Sequence, residues 1–314
     1  MKHLDEYRDS GLAKPLVAEL QRAVTRPLRV MEVCGSHTMA IFRNGLRSIL
    51  PKGLELVSGP GCPVCVTSAS HIDAFIETAD RPGIHLTTFG DLFRVPGTRS
   101  SLSEASSRGA KVDIVYSPMD ALELAMKNPG QLVVFLGVGF ETTTPAIAAT
   151  ILAAKNRAVD NFVVFSTQKT MPAPMEALLS DPHLKIDGLL CPGHVSSILG
   201  AGAWEPLAKK YNLACVVGGF ETADLLKSLI LLARQIANND VKVENVYPRI
   251  DELNIDPVRE VIQAVFARHI VTAPGRRKGR TGACTTQTWY SSRAPRAGSG
   301  ERWHARSPPT GTPC

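Results

Sequence analysis

The 314-residue sequence predicts an α/β fold built from parallel sheets, and three features predict it. Short apolar, β-branched runs alternate with amphipathic stretches of helical length. Glycine-rich turns separate the two. One strand-turn-helix unit occurs twice, as "LVVFLGVGFETTTPA" (132–146) and "LACVVGGFETADLL" (213–226), both carrying Gly-Phe-Glu-Thr. Buried strands alternating with helices imply parallel sheets covered on both faces. The echo implies two related open, Rossmann-like units with a cleft between them.

The elements follow in order. Strands are expected at 28–34, 54–59, 84–90, 112–117, 132–139, 162–167, 186–191 and 213–219, where apolar runs end in turn residues. Helices are expected near 37–49, 68–79, 119–127, 145–156, 196–210 and 222–237. A last helix, "DPVREVIQAVFARH", has Asp256 as its cap, Pro257 in its first turn and Val258, Val261, Ile262, Val265 and Phe266 at helical spacing. The expected division is a first unit over 1–130, a second over 131–273 and a tail over 274–314.

The tail sets the charge. Eight of the 35 Lys and Arg and one of the 29 acidic residues lie in 274–314, which leaves a nearly neutral body with 27 basic and 28 acidic side chains. The tail has no Leu, Ile, Val, Met or Phe, so it cannot bury enough apolar surface to offset its ordering entropy and is expected to be disordered. Its Arg residues with Trp289, Tyr290 and Trp303 would suit a nucleic-acid arm. The abrupt change of composition after "ARHIVTAP" fits a shifted reading frame better, so nucleic acid is not the expected partner. No apolar run approaches the roughly 18 residues of a membrane span, and the first residues lack the apolar core of a signal peptide. The expected location is the cytoplasm, where seven cysteines serve as thiols or ligands rather than as a disulfide framework.

Three of these cysteines fall where open α/β sheets place ligands. Cys34 ends the first strand and a helix begins at once; Cys62 and Cys65 follow the second strand after "SGPG". If those strands are parallel, all three thiols emerge at one carboxyl edge. Helix N-termini favour the thiolate, which is the form that attacks electrophiles and binds metals. His37 lies one turn after Cys34, although a lone histidine there is more often a capping or packing residue. The pair Cys62-Pro-Val-Cys65 admits a redox dithiol, half a zinc site, inert structural cysteines, or an open soft-thiolate site that holds a metal fragment and passes it on. The redox reading leaves Cys34 unexplained, and no second Cys-x-x-Cys completes a zinc site.

Further candidates stand at other strand ends. "CPGHVSSILG" (191–200) supplies His194, a candidate cofactor-binding residue, and Cys191, for which a small buried hydrophobe is the commoner role. Glu141 and Glu221 hold matching places in the two Gly-Phe-Glu-Thr copies and are candidates of the same kind. The plain alternative is an acid complementing a helix dipole, with Thr142 or Thr144 as cap. The turns "GVGF" and "VGGF" fit neither a phosphate loop nor a dinucleotide fingerprint.

Taken in order, "CGSHT", "SGPGCPVCVT", "GDLFRVPG", "GFETTTPA", "TMPAPMEALL", "CPGHVSSILG" and "GFETADLL" resemble the HypD family of hydrogenase maturation proteins over roughly residues 10–270. The resemblance implies a scaffold that, with a small HypC-type chaperone and a HypE-type cyanide donor, assembles the Fe(CN)2CO moiety for the large subunit of nickel-iron hydrogenases. It assigns iron handling to Cys34, Cys62 and Cys65, the last two also able to cycle through a disulfide, and places His37 beside them for hydrogen bonding or proton transfer. A thiol-disulfide oxidoreductase using the Cys-Pro-Val-Cys pair is the alternative. The family also implies a 4Fe-4S cluster held by cysteines beyond the last helix. Here only Cys284 and Cys314 occupy that region, whereas such a cluster normally takes four ligands. The chain as written is expected not to assemble it.

Overall fold

A computed structural model describes residues 10–247, helical positions at 250, 258, 260–262 and 265, and a strand at 288–291. The architecture is α/β, as predicted. Sheet A contains β1 (Leu28–Glu32), β2 (Leu54–Ser58), β7 (Gly188–Pro192), β8 (Ala214–Gly218) and β9 (Val243–Asn245) in the order β2-β1-β7-β8-β9, all parallel. Sheet B contains β3 (Ile84–Thr88), β4 (Val112–Ile114), β5 (Leu132–Gly137) and β6 (Phe162–Ser166), parallel in the order β6-β5-β3-β4. The short β10 (Thr288–Ser291) runs antiparallel along β6, an element not foreseen within the tail. The rest of 274–314, for which disorder is expected, lies outside the described residues, as do Asp256 and Pro257.

Period-two alternation explains why each sheet is covered twice. On sheet A, Val30, Leu190 and Val216 face a core with Leu20 of α1 (Ser10–Ala23), Ile41 of α2 (Gly35–Arg43) and Leu225, Leu226 and Leu229 of α10 (Thr222–Asn238). Their neighbours Met31, Leu189 and Val217 face the other way. There they meet Met175 of α7 (Pro172–Leu179), Val195 of α8 (Gly193–Leu199) and Leu207 of α9 (Glu205–Tyr211). On sheet B, Val133 and Phe135 pack against α5 (Pro118–Lys127) and α6 (Thr144–Asn156), and Val265 of the last helix joins that core. Val134 and Leu136 pack against α3 (Ala69–Ala79) and α4 (Leu102–Ser107).

Strand pairing does not follow a division at residue 130. The chain builds β1 and β2 in sheet A, crosses to sheet B for β3 to β6, and returns to sheet A for β7 to β9. The reason is register: β5, an apolar run buried on both faces, pairs with β3 from Ile84↔Leu132 onward, which holds residues 84–114 with 132–166. The two Gly-Phe-Glu-Thr copies thus end one strand in each sheet. The predicted helix 196–210 is broken at Gly200, whose φ of +83° suits glycine, into α8, a 3₁₀ turn at 201–204 and α9. No helix among the described residues is long and apolar enough to cross a membrane.

Candidate functional site

All parallel strands of a sheet share one direction, so the loops after β1, β2, β7 and β8 gather at one edge of sheet A. Cys34 is the N-cap residue of α2, in extended backbone with no side-chain capping bond; its carbonyl accepts from the His37 and Thr38 amides at 3.0 and 3.2 Å. β2 runs beside β1, and the Gly59 amide prolongs the pairing by donating to the Glu32 carbonyl at 2.9 Å. The next turn lays Gly61 on the start of α2: a Cβ there would come within 2.8 Å of the Cys34 Cα. Only glycine tolerates that approach. The two cysteine loops are therefore in backbone contact, and Cys62 follows directly.

Cys62 and Cys65 are joined as a disulfide, closed within a short turn in which the Cys65 amide also lies 3.2 Å from the Cys62 sulfur. Cys34 is a free, partly exposed thiol. The expected convergence of three thiols on one metal takes a different form here. Among the described residues no group of three or more His, Cys, Asp or Glu side chains is placed to hold a metal ion, and two sulfurs bonded to each other have no thiolate to offer. Val64, between the two cysteines, packs against the sheet B core, whereas Val66 packs against the sheet A core. The disulfide turn lies where the two sheets meet.

His37 is fully buried beneath the site. Its Nε2 lies 3.2 Å from the Gly218 carbonyl, which can only accept, so Nε2 carries the proton and Nδ1 is a buried lone pair without a partner. Burial first, with the charge of His194 adding to it, lowers its pKa to about 4. His37 is therefore a neutral imidazole, and imidazolium is not its resting form. Phe220 links the two histidines, stacked on His194 at 3.9 Å and tilted toward His37 at 4.8 Å. Gly193 makes that closeness possible, since a Cβ there would meet the Gly218 carbonyl oxygen at 2.6 Å and the Tyr247 ring at 2.9 Å.

This burial carries a pH dependence. The unfolded chain binds a proton at His37 near pH 6.5, whereas the folded chain resists protonation until about pH 4, so stability falls as pH falls through that window. The loss expected by pH 4 is about 3 kcal/mol. Glu141, whose burial raises its pKa, contributes with the opposite sign, losing stability as pH rises. The diagnostic quantity is consequently the difference between the wild type and His37→Gln in denaturant unfolding at pH 7 and pH 4.5. The wild type should lose more between the two, and parallel curves would contradict the neutral, buried imidazole.

The paired glutamates have diverged. Glu141 is buried; its Oε1 accepts from the Met171 amide at 2.8 Å, and Oε2 has no partner. It fastens the loop after β6 to the loop after β5. Glu221 is the N-cap residue of α10 and makes no side-chain capping bond. The cap of α6 is Thr143, without a capping bond, rather than Thr142 or Thr144; Thr144 bonds Gln168 instead, at 2.8 Å. Cys191 is buried beside Cys215, and burial together with that neighbour raises its pKa well above the usual thiol value. It is a core residue, inert as a nucleophile.

Sequence reasoning did not single out three residues that the structure brings to this edge. Glu32, two residues before Cys34, is fully buried with one oxygen 3.4 Å from Arg47 and the other unpartnered. Phe220 was visible only as a letter of the repeat. Lys169, from the loop after β6, reaches the disulfide turn through Thr67 at 3.1 Å, a contact between segments about a hundred residues apart that no local pattern announces.

The fold and this edge define a doubly wound α/β protein that presents a free thiol beside a Cys-x-x-Cys disulfide. A model of the family described as "Hydrogenase formation hypA family", HypD, matches residues 11–273. The chain is similar to the hydrogenase maturation factor HypD of Rhodobacter capsulatus, 46% identical over 257 residues that cover 80% of this chain and 68% of that protein. It is also 46% identical to the Escherichia coli K12 protein of the same name, over 80% and 69% of the two chains, and 44% identical to that of Azotobacter vinelandii, over 79% and 68%. The chain belongs to the HypD family of hydrogenase maturation factors.

Proposed function

We propose that this chain is a cytoplasmic scaffold on which the Fe(CN)2CO moiety of nickel-iron hydrogenases is assembled and from which it is passed on, together with a HypC-type chaperone and a HypE-type cyanide donor. The observation that carries the reading is the backbone contact of Gly61 with Cys34, which sets a free thiol beside a pair of cysteines able to store two electrons. Iron is cargo in this scheme. Cys34 is the soft ligand present in both redox states of the pair, and Cys62 and Cys65 become ligands or reductant when their disulfide opens. With only Cys34 offered by the oxidised form, a partner's donor completes the coordination, as befits a site that must release its load. His37, neutral and held by Gly218, accepts at Nδ1, while the Phe220 stack fixes His194 at the same edge.

The resident 4Fe-4S cluster implied by the family does not fit this chain's donor set. Cys191 and Cys215 are buried on β7 and β8, the thiol site uses three more, and Cys284 and Cys314, outside the described residues, are two where such a cluster takes four.

An infrared spectrum of the chain, purified anaerobically after co-expression with a HypC-type and a HypE-type partner, tests the scaffold. Bands in the cyanide and carbonyl stretching region are expected. Their absence, when the same partners give bands on the Escherichia coli relative, overturns the proposal for this chain. The thiol oxidoreductase reading draws on the disulfide alone; the Cys34 substitution discussed below separates the two.

A further inference from the structure

Two segments carry the chain between its sheets before β7: the disulfide turn with α3, leading from β2 to β3, and the loop with α7, leading from β6 to β7. One side chain joins them. Lys169 Nζ donates to Thr67 Oγ1 and to the Thr167 carbonyl, each at 3.1 Å, and the Lys169 amide donates to the Gly139 carbonyl at 3.0 Å. Thr67 Oγ1 passes the contact on by donating to the Pro63 carbonyl at 2.8 Å, and the Thr67 amide donates to the Val64 carbonyl at 3.0 Å. Pro63 and Val64 are the two residues between the cysteines.

The arrangement is costly. An ammonium taken partly out of water, with a hydroxyl and a carbonyl as its bonded acceptors, forfeits hydration that no carboxylate among the described residues returns. Burial lowers the Lys169 pKa; burial also lowers that of His71 on α3, and the charge of Lys169 adds to it. A surface lysine serving solubility alone would not be held this way. What the bonds do mechanically is fasten the carboxyl end of the turn to Pro63 and Val64, the two residues between the cysteines.

We infer that Lys169 is a positioning residue for the Cys62–Cys65 couple, holding the turn closed through Thr67 so that the disulfide is favoured over the dithiol. The half-reaction is one disulfide plus two electrons and two protons giving two thiols, with a small dithiol such as dithiothreitol as donor, itself oxidised to its cyclic disulfide. The inference rests on the reading of this pair as working thiols, but it concerns the couple itself and does not depend on iron reaching the site.

The test is a redox titration of the whole chain in dithiothreitol buffers at fixed pH, with alkylation and mass measurement of the peptide that carries both cysteines. Lys169→Met should make the pair about tenfold easier to reduce, a rise of roughly 30 mV for this two-electron couple. Thr67→Val should do the same, the double variant no more than either single one, and Lys169→Arg should return the midpoint toward the wild-type value. An unchanged midpoint in Lys169→Met overturns the inference. So does a fall, which would mean that the lysine acts by stabilising thiolate rather than by closing the turn. If Lys169→Met does not fold, Thr67→Val alone decides by the same criterion. Failure of the scaffold reading alone would show as absent infrared bands while the Lys169→Met and Thr67→Val midpoint shifts still appear.

Discussion

Replacing Cys34 by Ser is expected to abolish the cyanide and carbonyl bands of the co-purified complex while leaving the fold intact or slightly more stable. A hydroxyl is a hard, protonated and weak donor where low-spin iron needs a soft thiolate, so the ligand proposed for the iron is lost outright. Stability moves the other way. Cys34 occupies the N-cap of α2 without making a capping bond, and serine is among the preferred residues there, worth up to about 1 kcal/mol when its oxygen accepts from the first turn. Loss of bands with an unchanged or raised melting temperature therefore separates chemistry from folding. The same variant divides the two functional readings, because a thiol oxidoreductase built on Cys62 and Cys65 keeps reducing disulfides. A variant that retains its bands refutes Cys34 as the iron ligand.

Gly61→Ala should be the most damaging single-methyl change in the site. The added Cβ would fall 2.7 Å from the Cys34 carbonyl carbon and 2.8 Å from its Cα, and nearer still to the Gly35 nitrogen. These are backbone atoms at the end of β1 and the start of α2, which no rotamer change can move aside. The cost of forced separation is about 2–4 kcal/mol, at the upper end for overpacking because the obstruction is main chain. Function should suffer beyond stability, since moving the Cys62 loop away from Cys34 spoils the juxtaposition that the scaffold proposal rests on. Circular dichroism melting and the infrared bands, measured on one preparation, check both parts. Gly83→Ala offers a control: it lies at a φ of +79° with no atom within 4 Å of the added Cβ, so it carries a backbone penalty of its own but no clash and no effect on the bands. Equal losses in the two variants would show that steric contact at Gly61 is unimportant.

Much of this protein was legible in the chain itself. β-branched runs of four to eight residues between glycine-rich turns gave the strands, because local sterics and burial on both faces act within the run. Strand polarity followed, and with it the placing of Cys34 and of Cys62 and Cys65 at one edge, confirmed by β1 and β2 pairing in parallel from Leu28↔Leu54. The longer capped helices were equally plain, but the six-residue α4 was not, despite Ser101 capping it through the Glu104 amide. α1 and α7, with Pro15 and with Pro172 and Pro174, were masked by residues that read as breakers.

By itself, then, the sequence determined the fold class, the run of strands and the presence of a thiol-bearing edge, all set by interactions within a few residues or by strand direction. Tertiary structure alone decided that the chain crosses between sheets rather than dividing at residue 130, since strand partners are chosen by burial and register over long separations. It also decided that His37 is neutral, because desolvation depends on what Gly218 and Phe220 place around it. And it brought Lys169 to the disulfide turn across 102 residues of chain, a contact that exists only where two crossings between sheets run side by side.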